Sequence, residues 1–389
     1  MVGDRDLPFV RHSVIIIGGV TDRRSARPDL IPALLDWYRR HRRDLPWRRR
    51  PGPYRVWISE VMLQQTTVQA VLPYYARFMS AFPTLAALAG ARLSDVLAAW
   101  SGLGYYRRAR HLHAAARRIV RRHGGRFPRR LEEALALPGV GRYTAGAVLS
   151  IAYGERLPVV DGNVARVLSR LFLLRGPRTA ARGRELWARA DDLVNATDSP
   201  GDLNQALMEL GATLCTPRSP SCPACPVRRR CLARAAGAQD RVPLPQSPPR
   251  SPVTVRADLA VVSRDGRLLL RCRTDRNLMH GLWEFPTRAR GGAIDGLSLE
   301  LERPVAIIRH SITYRRLVLS IRPARLLSEP PRGRYRWLRP IDLRRLPTSS
   351  IVRKVLAALE EHRSKDEYRE PLAGLRPPPD RGSGPPGPS

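Results

Sequence analysis

The sequence predicts a multi-domain protein, an all-α domain followed by a smaller α+β domain. Three observations carry this. Residues 28–236 are dense in apolar positions at three- and four-residue spacing, the period of a helix face. The segment VPLPQSPPRSP at 242–252 is proline-rich and breaks that pattern. From Val253 onward the pattern becomes strand-like. A length of 389 residues allows two or three domains, and 43% apolar content suffices for true cores.

Taken in order, residues 1–27 lack periodicity and carry mixed charge, as expected of a disordered tail. Helices are predicted over 32–43, 59–79, 94–100, 107–123, 131–137, 144–153, 164–173 and 183–196. Residues 237–252 are the linker, and the second domain spans 253–362. Within it, strands over 253–262 and 267–272 flank Asp265-Gly266, a hairpin signal. Further strands are expected over 315–322 and 335–338, with a closing helix over 351–362. Residues 363–389, ending in a Pro/Gly/Ser-rich stretch, are expected to be a disordered tail.

Lys+Arg number 68 against 34 Asp+Glu, a net charge of +34. Such an excess points to a polyanion partner, nucleic acid before acidic membrane. The basic residues are almost all arginine, with lysine only at Lys354 and Lys365, which removes most candidates for a Schiff-base nucleophile. No apolar run can span a bilayer, and the run Val14–Ile17 is too short for a signal-peptide core. The expected setting is a bacterial cytoplasm, with the chain associated with the nucleoid through DNA and no membrane partner.

Cys215, Cys222, Cys225 and Cys231 are spaced C-x6-C-x2-C-x5-C. Thiols crowded this closely in a reducing cell would oxidise or take up metal, so zinc and an iron–sulfur cluster are the choices. Zinc ribbons pair two CxxC-like knuckles and only one is present, which favours a [4Fe–4S] cluster. Arg228, Arg229 and Arg230 make that loop basic, a plausible platform for phosphate. Cys272 falls in a predicted strand and reads as a packed thiol. Leu137-Pro138-Gly139-Val140-Gly141 forms a tight turn between two predicted helices. Amides at Gly139, Val140 and Gly141 can bind a phosphate at the next helix's N-terminus, making a helix–hairpin–helix DNA anchor.

WISEVMLQQTTV (57–68), GLGYYRRARHLH (102–113), LPGVGRYTAGA (137–147), VVDGNVARV (159–167), NQALMELGATLC (204–215) and the cysteine spacing occur in this order. As a set they closely resemble the MutY-type adenine DNA glycosylases of the helix–hairpin–helix superfamily, over residues 28–360. The resemblance implies a helix–hairpin–helix glycosylase domain with an iron–sulfur loop and a Nudix-like second domain. It also implies a partner, double-stranded DNA with 8-oxoguanine:A or G:A mispairs, bound by a monomer.

Residue by residue, the resemblance makes Glu60 the acid that protonates adenine, chiefly at N7; on sequence alone Glu60 reads as decoration of a helix N-terminus. Asp161 reads locally as an N-cap, and by resemblance also stabilises the sugar cation, with Asn163 orienting the site. At position 143, endonuclease III-like relatives carry a lysine that attacks the sugar; Tyr143 cannot form that imine, so base removal without an efficient lyase step is expected. Trp47 and Arg48, in Leu45-Pro46-Trp47-Arg48, and Gln205 match residues of the adenine pocket. Gln65, Thr66, Leu103 and Tyr105 match residues that enter the base stack and hold the opposite base once adenine is flipped out.

RNLMHGLWEFP (276–286) resembles the family's Nudix-like domain, which checks the base opposite adenine for 8-oxoguanine. Only a short, glutamate-poor stretch follows Pro286, so recognition without pyrophosphatase activity is expected. The family's H-x-F-[S/T]-H loop reads His310-Ser311-Ile312-Thr313-Tyr314, with isoleucine for phenylalanine and tyrosine for the second histidine. That departure bears on 8-oxoguanine selectivity more than on excision. The rival readings are a mismatch thymine or uracil glycosylase on the same fold and a non-catalytic mismatch-binding protein.

Overall fold

The computed structural model describes residues 29–177, 179–244, 251–274, 279–289, 294, 296–331 and 333–369. The expected tail over 1–27, linker residues 245–250 and 370–389 lie outside them, as do 275–278 of the RNLMHGLWEFP segment.

The chain opens with helices α1 (Leu30–His41), α2 (Pro46–Arg49), α3 (Pro53–Leu63), α4 (Val68–Ala81), α5 (Leu85–Gly90), α6 (Leu93–Ala99) and α7 (Arg107–Arg122). It continues with α8 (Leu131–Leu135), α9 (Arg142–Tyr153), α10 (Gly162–Leu171), α11 (Ala180–Asn195), α12 (Pro200–Thr213) and α13 (Leu232–Ala235). Local chemistry sets many of the starts. Thr67, Thr84, Asp161 and Thr179 cap α4, α5, α10 and α11 through side-chain oxygens. Proline stands in the first turn of α2, α3 and α12, where no amide partner is lost.

The single helix expected over 59–79 is two. Gln65 adopts a left-handed φ of 59°, which ends α3, and Thr67 restarts the chain by accepting from the Ala70 amide. Apolar spacing runs through both helices, so periodicity alone could not show the break.

These helices enclose two cores. Trp57, Phe78, Trp100, Ile119 and Leu149 centre the first, built chiefly from α3, α4, α6, α7 and α9. Leu34, Tyr38, Leu168 and Leu207 centre the second, built from α1 and α10–α12. Helix α9 serves both, with Val148 and Leu149 in one and Ala147 in the other. Between α12 and α13 the cysteine segment folds as short 3-10 turns at Cys222–Ala224 and Arg228–Arg230.

The second part contains β1 (Val253–Val261), β2 (Ser263–Arg264), β3 (Arg267–Cys272), β4 (Trp283–Glu284), β5 (Thr287–Ala289), β6 (Leu299–Leu301), β7 (Ala306–Ile312), β8 (Arg315–Leu326), β9 (Tyr335–Leu338) and α14 (Ser350–Arg369). One sheet runs β5-β1-β8, with β6 and β7 both antiparallel to β8 and β1 parallel to it. The other centres on β3, flanked by β2, β4 and β9. Asp265-Gly266 does make a tight turn, with φ of 50° and 68°, but it joins β3 to the two-residue β2; β1 belongs to the other sheet. Helix α14 buries Val352 and Val355 against Phe285, Leu319 and Ile321. It continues to Arg369, seven residues past the expected end, because no proline or glycine intervenes before Pro371. The disordered tail expected from 363 is corrected to that extent.

The two parts touch. Ser101 Oγ (2.6 Å) and Tyr106 Oη (2.8 Å) both donate to the Thr348 carbonyl, and the Arg110 guanidinium donates to the His280 carbonyl.

Candidate active site

A cleft of ≈ 2090 Å³ runs between the two helical cores, larger than a single base requires. Glu60, Tyr143, Asp161, Asn163, Trp47, Arg48 and Gln205 all line it, as do Gln65, Thr66, Tyr105 and the 139–141 turn.

Glu60 sits in the last turn of α3, not at its start, so the N-terminal dipole reading is overturned. There the dipole disfavours a carboxylate, and the residue is only 6% exposed. Burial drives its carboxyl from 4.5 to about 7; the Tyr143 hydrogen bond and the Arg48 charge oppose this, while the Asp161 charge adds to it. Tyr143, in the first turn of α9, donates its hydroxyl proton to Glu60 Oε2 at 2.6 Å. Burial holds that phenol well above its ordinary range, so it remains a donor.

Asp161 caps α10, accepting from the Val164 amide at 2.7 Å through Oδ1. Its Oδ2 accepts from Asn163 Nδ2 at 3.2 Å, and Arg166 donates to Asn163 Oδ1 at 2.9 Å. Burial raises the Asp161 carboxyl, against the hydrogen bonds from Val164 and Asn163. Gly211 of α12 lies against Asn163: a Cβ there would come within 2.7 Å of the Asn163 Cβ. The result is a proton-holding acid and a second carboxylate facing one cleft.

Trp47 is buried and meets Tyr75 edge to face, with ring centroids 5.1 Å apart. Arg48 pairs with Glu209 at 2.8 Å. At the mouth, Gln65 and Tyr105 both hold left-handed backbone, with φ of 59° and 50°, and Tyr105 is 49% exposed. Arg108 lies between them. Its guanidinium donates to the Val61, Met62 and Gln64 carbonyls, closing the end of α3, and stands over the Tyr105 ring. Leu103 departs from expectation: it is 7% exposed, packs into the first core and does not line the cleft. Its apolar side chain gains more from burial there than from exposure at the mouth.

The Leu137–Gly141 turn joins α8 to α9. Gly139 has φ of 74°, and a Cβ on it would strike the His111 Cβ at 2.6 Å, so only glycine fits. Val140 is corrected as a phosphate donor: its amide is bonded to the Leu137 carbonyl within the turn, and its side chain is buried. Gly141 is the N-cap residue of α9, whose first-turn amides have no intrahelical partner, and it lines the cleft. Ser311, Ile312, Thr313 and Tyr314 do not line this cleft: they form the tip of the β7–β8 hairpin, with Thr313 left-handed at φ 55° and Arg315 over the Tyr314 ring.

The HhH-GPD superfamily base excision DNA repair model matches residues 58–190, and a NUDIX domain model matches 258–358. The human protein described as adenine DNA glycosylase is 37% identical over 83% of this chain and 72% of its own length. The rat protein of the same description is 37% identical over 85% and 78%. The chain belongs to the adenine DNA glycosylase family. A fission yeast member is 42% identical over 52% of this chain and 48% of its own. The superfamily match includes Glu60, Tyr143, Asp161 and Asn163; the cysteine segment lies beyond it. No helix among the described residues is long and apolar enough to cross a membrane.

Sequence reading missed Arg43, Arg108, Met208 and Glu209. Met208 Sδ lies 3.3 Å from the Tyr143 hydroxyl, and Glu209 pairs both Arg43 and Arg48. A signal was present: Glu209 stands four residues after Gln205, one turn along the same helix face.

Proposed function

We propose that this chain removes adenine from G:A and 8-oxoguanine:A mispairs by hydrolysis of the N-glycosidic bond, leaving an abasic site. The observation that carries this is the Glu60–Tyr143–Asp161 constellation in one cleft. With the adenine flipped into the cleft, Glu60, protonated near neutral pH, gives its proton to a ring nitrogen. Because Oε2 is taken by the Tyr143 hydroxyl, Oε1 is the oxygen that carries the proton to the base. The C1′–N bond breaks with its electron pair leaving on the protonated base. Asp161, held by Val164 and Asn163, stabilises the sugar cation until water attacks C1′. Tyr143 offers no amine, so the reaction stops at base loss.

Trp47, Arg48 and Gln205 line the base pocket, Gln65, Thr66 and Tyr105 engage the opened stack, and the Gly139–Gly141 turn with the start of α9 holds a phosphate. Net charge supplies the remaining, sequence-independent affinity for the duplex. The hairpin tip at 311–314 tests the opposite base, and the enzyme acts as a monomer.

The cysteine segment suits a [4Fe–4S] cluster. Cys215, Cys225 and Cys231 pack on the second core, and Cys222 opens the short turn that leads to Cys225, so these four thiols would hold the cluster. Buried Arg170 donates to Cys215 Sγ at 3.3 Å, offsetting thiolate charge. When bound, the cluster staples a basic loop beside the duplex.

The deciding experiment is single-turnover base release on G:A, 8-oxoguanine:A and G:T duplexes. Adenine release without strand nicking is expected, lost by at least about 10²-fold in Glu60→Gln with duplex binding retained. Excision surviving in Glu60→Gln removes the acid assignment; release of thymine alone replaces the substrate.

A further inference from the structure

Glu60 must keep its proton in a cleft crowded with arginine. Glu209, on α12, has a side chain only 1% exposed. Its Oε1 accepts from the Arg43 backbone N–H at 3.2 Å and from Arg43 Nε at 2.7 Å. Its Oε2 accepts from Arg43 Nη2 at 3.0 Å and from Arg48 Nη2 at 2.8 Å. Arg48 Nη1 in turn donates to the Arg43 carbonyl at 3.2 Å. One buried carboxylate therefore fastens two guanidiniums and the backbone before α2. The Arg48 side chain is 11% exposed and lines the same cleft as Glu60. A cation left unpaired in such a poorly solvated place would act on a nearby carboxyl far more strongly than one half of an ion pair.

We propose that Glu209 is a positioning residue for base excision: it clasps Arg48 into the cleft wall and offsets its charge, so that the guanidinium shapes the base pocket while drawing less on the proton of Glu60. The proposal rests on the adenine-excising reading above. The other charged or titratable groups around the cleft are Tyr143 from α9, Asp161 before α10, Arg166 and Arg170 from α10, Arg107, Arg108 and His111 from α7 with Tyr105 before it, Arg218 and Asp240 after α12, Tyr75 from α4, and Tyr38 of α1, whose ring lies under the Arg48 guanidinium. Arg108 is directed to the end of α3 by three carbonyls, and Tyr143 and Asp161 act on Glu60 directly. Arg48 is the cation whose charge reaches Glu60, and Glu209 is the carboxylate that pairs it.

The test is the pH dependence of single-turnover adenine release from a G:A duplex, using the full, cluster-loaded chain. The wild-type rate falls as Glu60 deprotonates. In Glu209→Gln the midpoint of that fall should drop by about one pH unit, lowering the rate roughly tenfold near about pH 8 but by less than about twofold near about pH 5. The double variant Glu209→Gln/Arg48→Met should return the midpoint to the wild-type value or above, because the cation that acts on Glu60 is gone, and Arg43, the other guanidinium on Glu209, is the more exposed of the two. A folded Glu209→Gln whose midpoint stays put, or whose rate falls equally at every pH, overturns the proposal, as does a double variant that fails to restore the midpoint. If circular dichroism shows Glu209→Gln unfolded, Glu209→Asp, one methylene short of the clasp, must move the midpoint down by at least about 0.3 unit; an unmoved midpoint there also overturns it. Wild-type chain that releases no adenine at any pH takes down the activity reading itself, whereas release with an unmoved variant midpoint removes only the role of Glu209.

Discussion

At the scale of single residues, the acid of this cleft is destabilising by construction. The Glu60 carboxyl stands at about 7 in the fold against 4.5 when exposed, so the folded chain holds a proton that the unfolded chain releases. The sign follows: the fold loses stability as pH rises from about 4.5 to about 7, and the loss is complete above that, roughly 3 kcal/mol for such a shift. Glu60→Gln keeps an acceptor for the Tyr143 hydroxyl without the buried charge. Urea denaturation should therefore find it close to wild type near about pH 4 and more stable by up to about 3 kcal/mol near about pH 8. Equal stability of the two proteins at both pH values would show that Glu60 is solvated in the folded state. Glu60 could be picked out from the motif around it, but its burial could not: Tyr143 of α9 and Asp161 before α10, which crowd it, are far away in sequence, and only Arg48 of α2 is near. The isolated sequence misplaces the helix start for a local reason: α3 begins at Pro53, with proline in its first turn, and not at Ser59.

At the scale of elements, capping and the proposed chemistry share one side chain. Asp161 starts α10 through the Val164 amide while its other oxygen meets Asn163. The two duties separate by substitution. Asp161→Asn can still cap, so thermal melting should change by less than about 1 kcal/mol while adenine release falls by at least about 10²-fold. Asp161→Ala loses both, with about 1 kcal/mol of stability lost in addition. Loss of stability in the asparagine variant equal to that in alanine would mean that charge, not the cap, holds the helix start. The cap was legible because a carboxylate followed by apolar periodicity is a local signal. The break between α3 and α4 was not, since Gln65 takes left-handed backbone under tertiary constraint, its neighbours held by Arg108. Strand order was similarly hidden: Asp265-Gly266 announces a turn, but nothing local tells that β1 pairs in parallel with β8, more than fifty residues on.

At the scale of the whole molecule, the base-excising cleft and the β7–β8 tip lie in different parts of the chain, joined through Thr348, Ser101, Tyr106 and His280. Division of labour follows from that arrangement. The residues proposed for the chemistry belong to the helical part, so alterations at the hairpin tip should change which mispair is preferred and leave the chemical step alone. Thr313 keeps its left-handed backbone with its hydroxyl folded back on the Ile312 carbonyl at 2.6 Å, and the neighbouring half-buried Tyr314, with the Arg315 guanidinium over its ring, is the largest side chain of the tip. Tyr314→Ala should therefore lower the ratio of 8-oxoguanine:A to G:A affinity by about threefold to tenfold, the loss of one stacking or hydrogen-bonding contact, with single-turnover G:A excision unchanged within about twofold. Competition binding on the two duplexes measures the ratio, and single-turnover kinetics measures the step. An equal loss of affinity for both mispairs would make the tip a general duplex contact, of the kind the net charge of +34 already provides, and would place discrimination of the opposite base with Gln65 and Tyr105 at the mouth of the cleft instead.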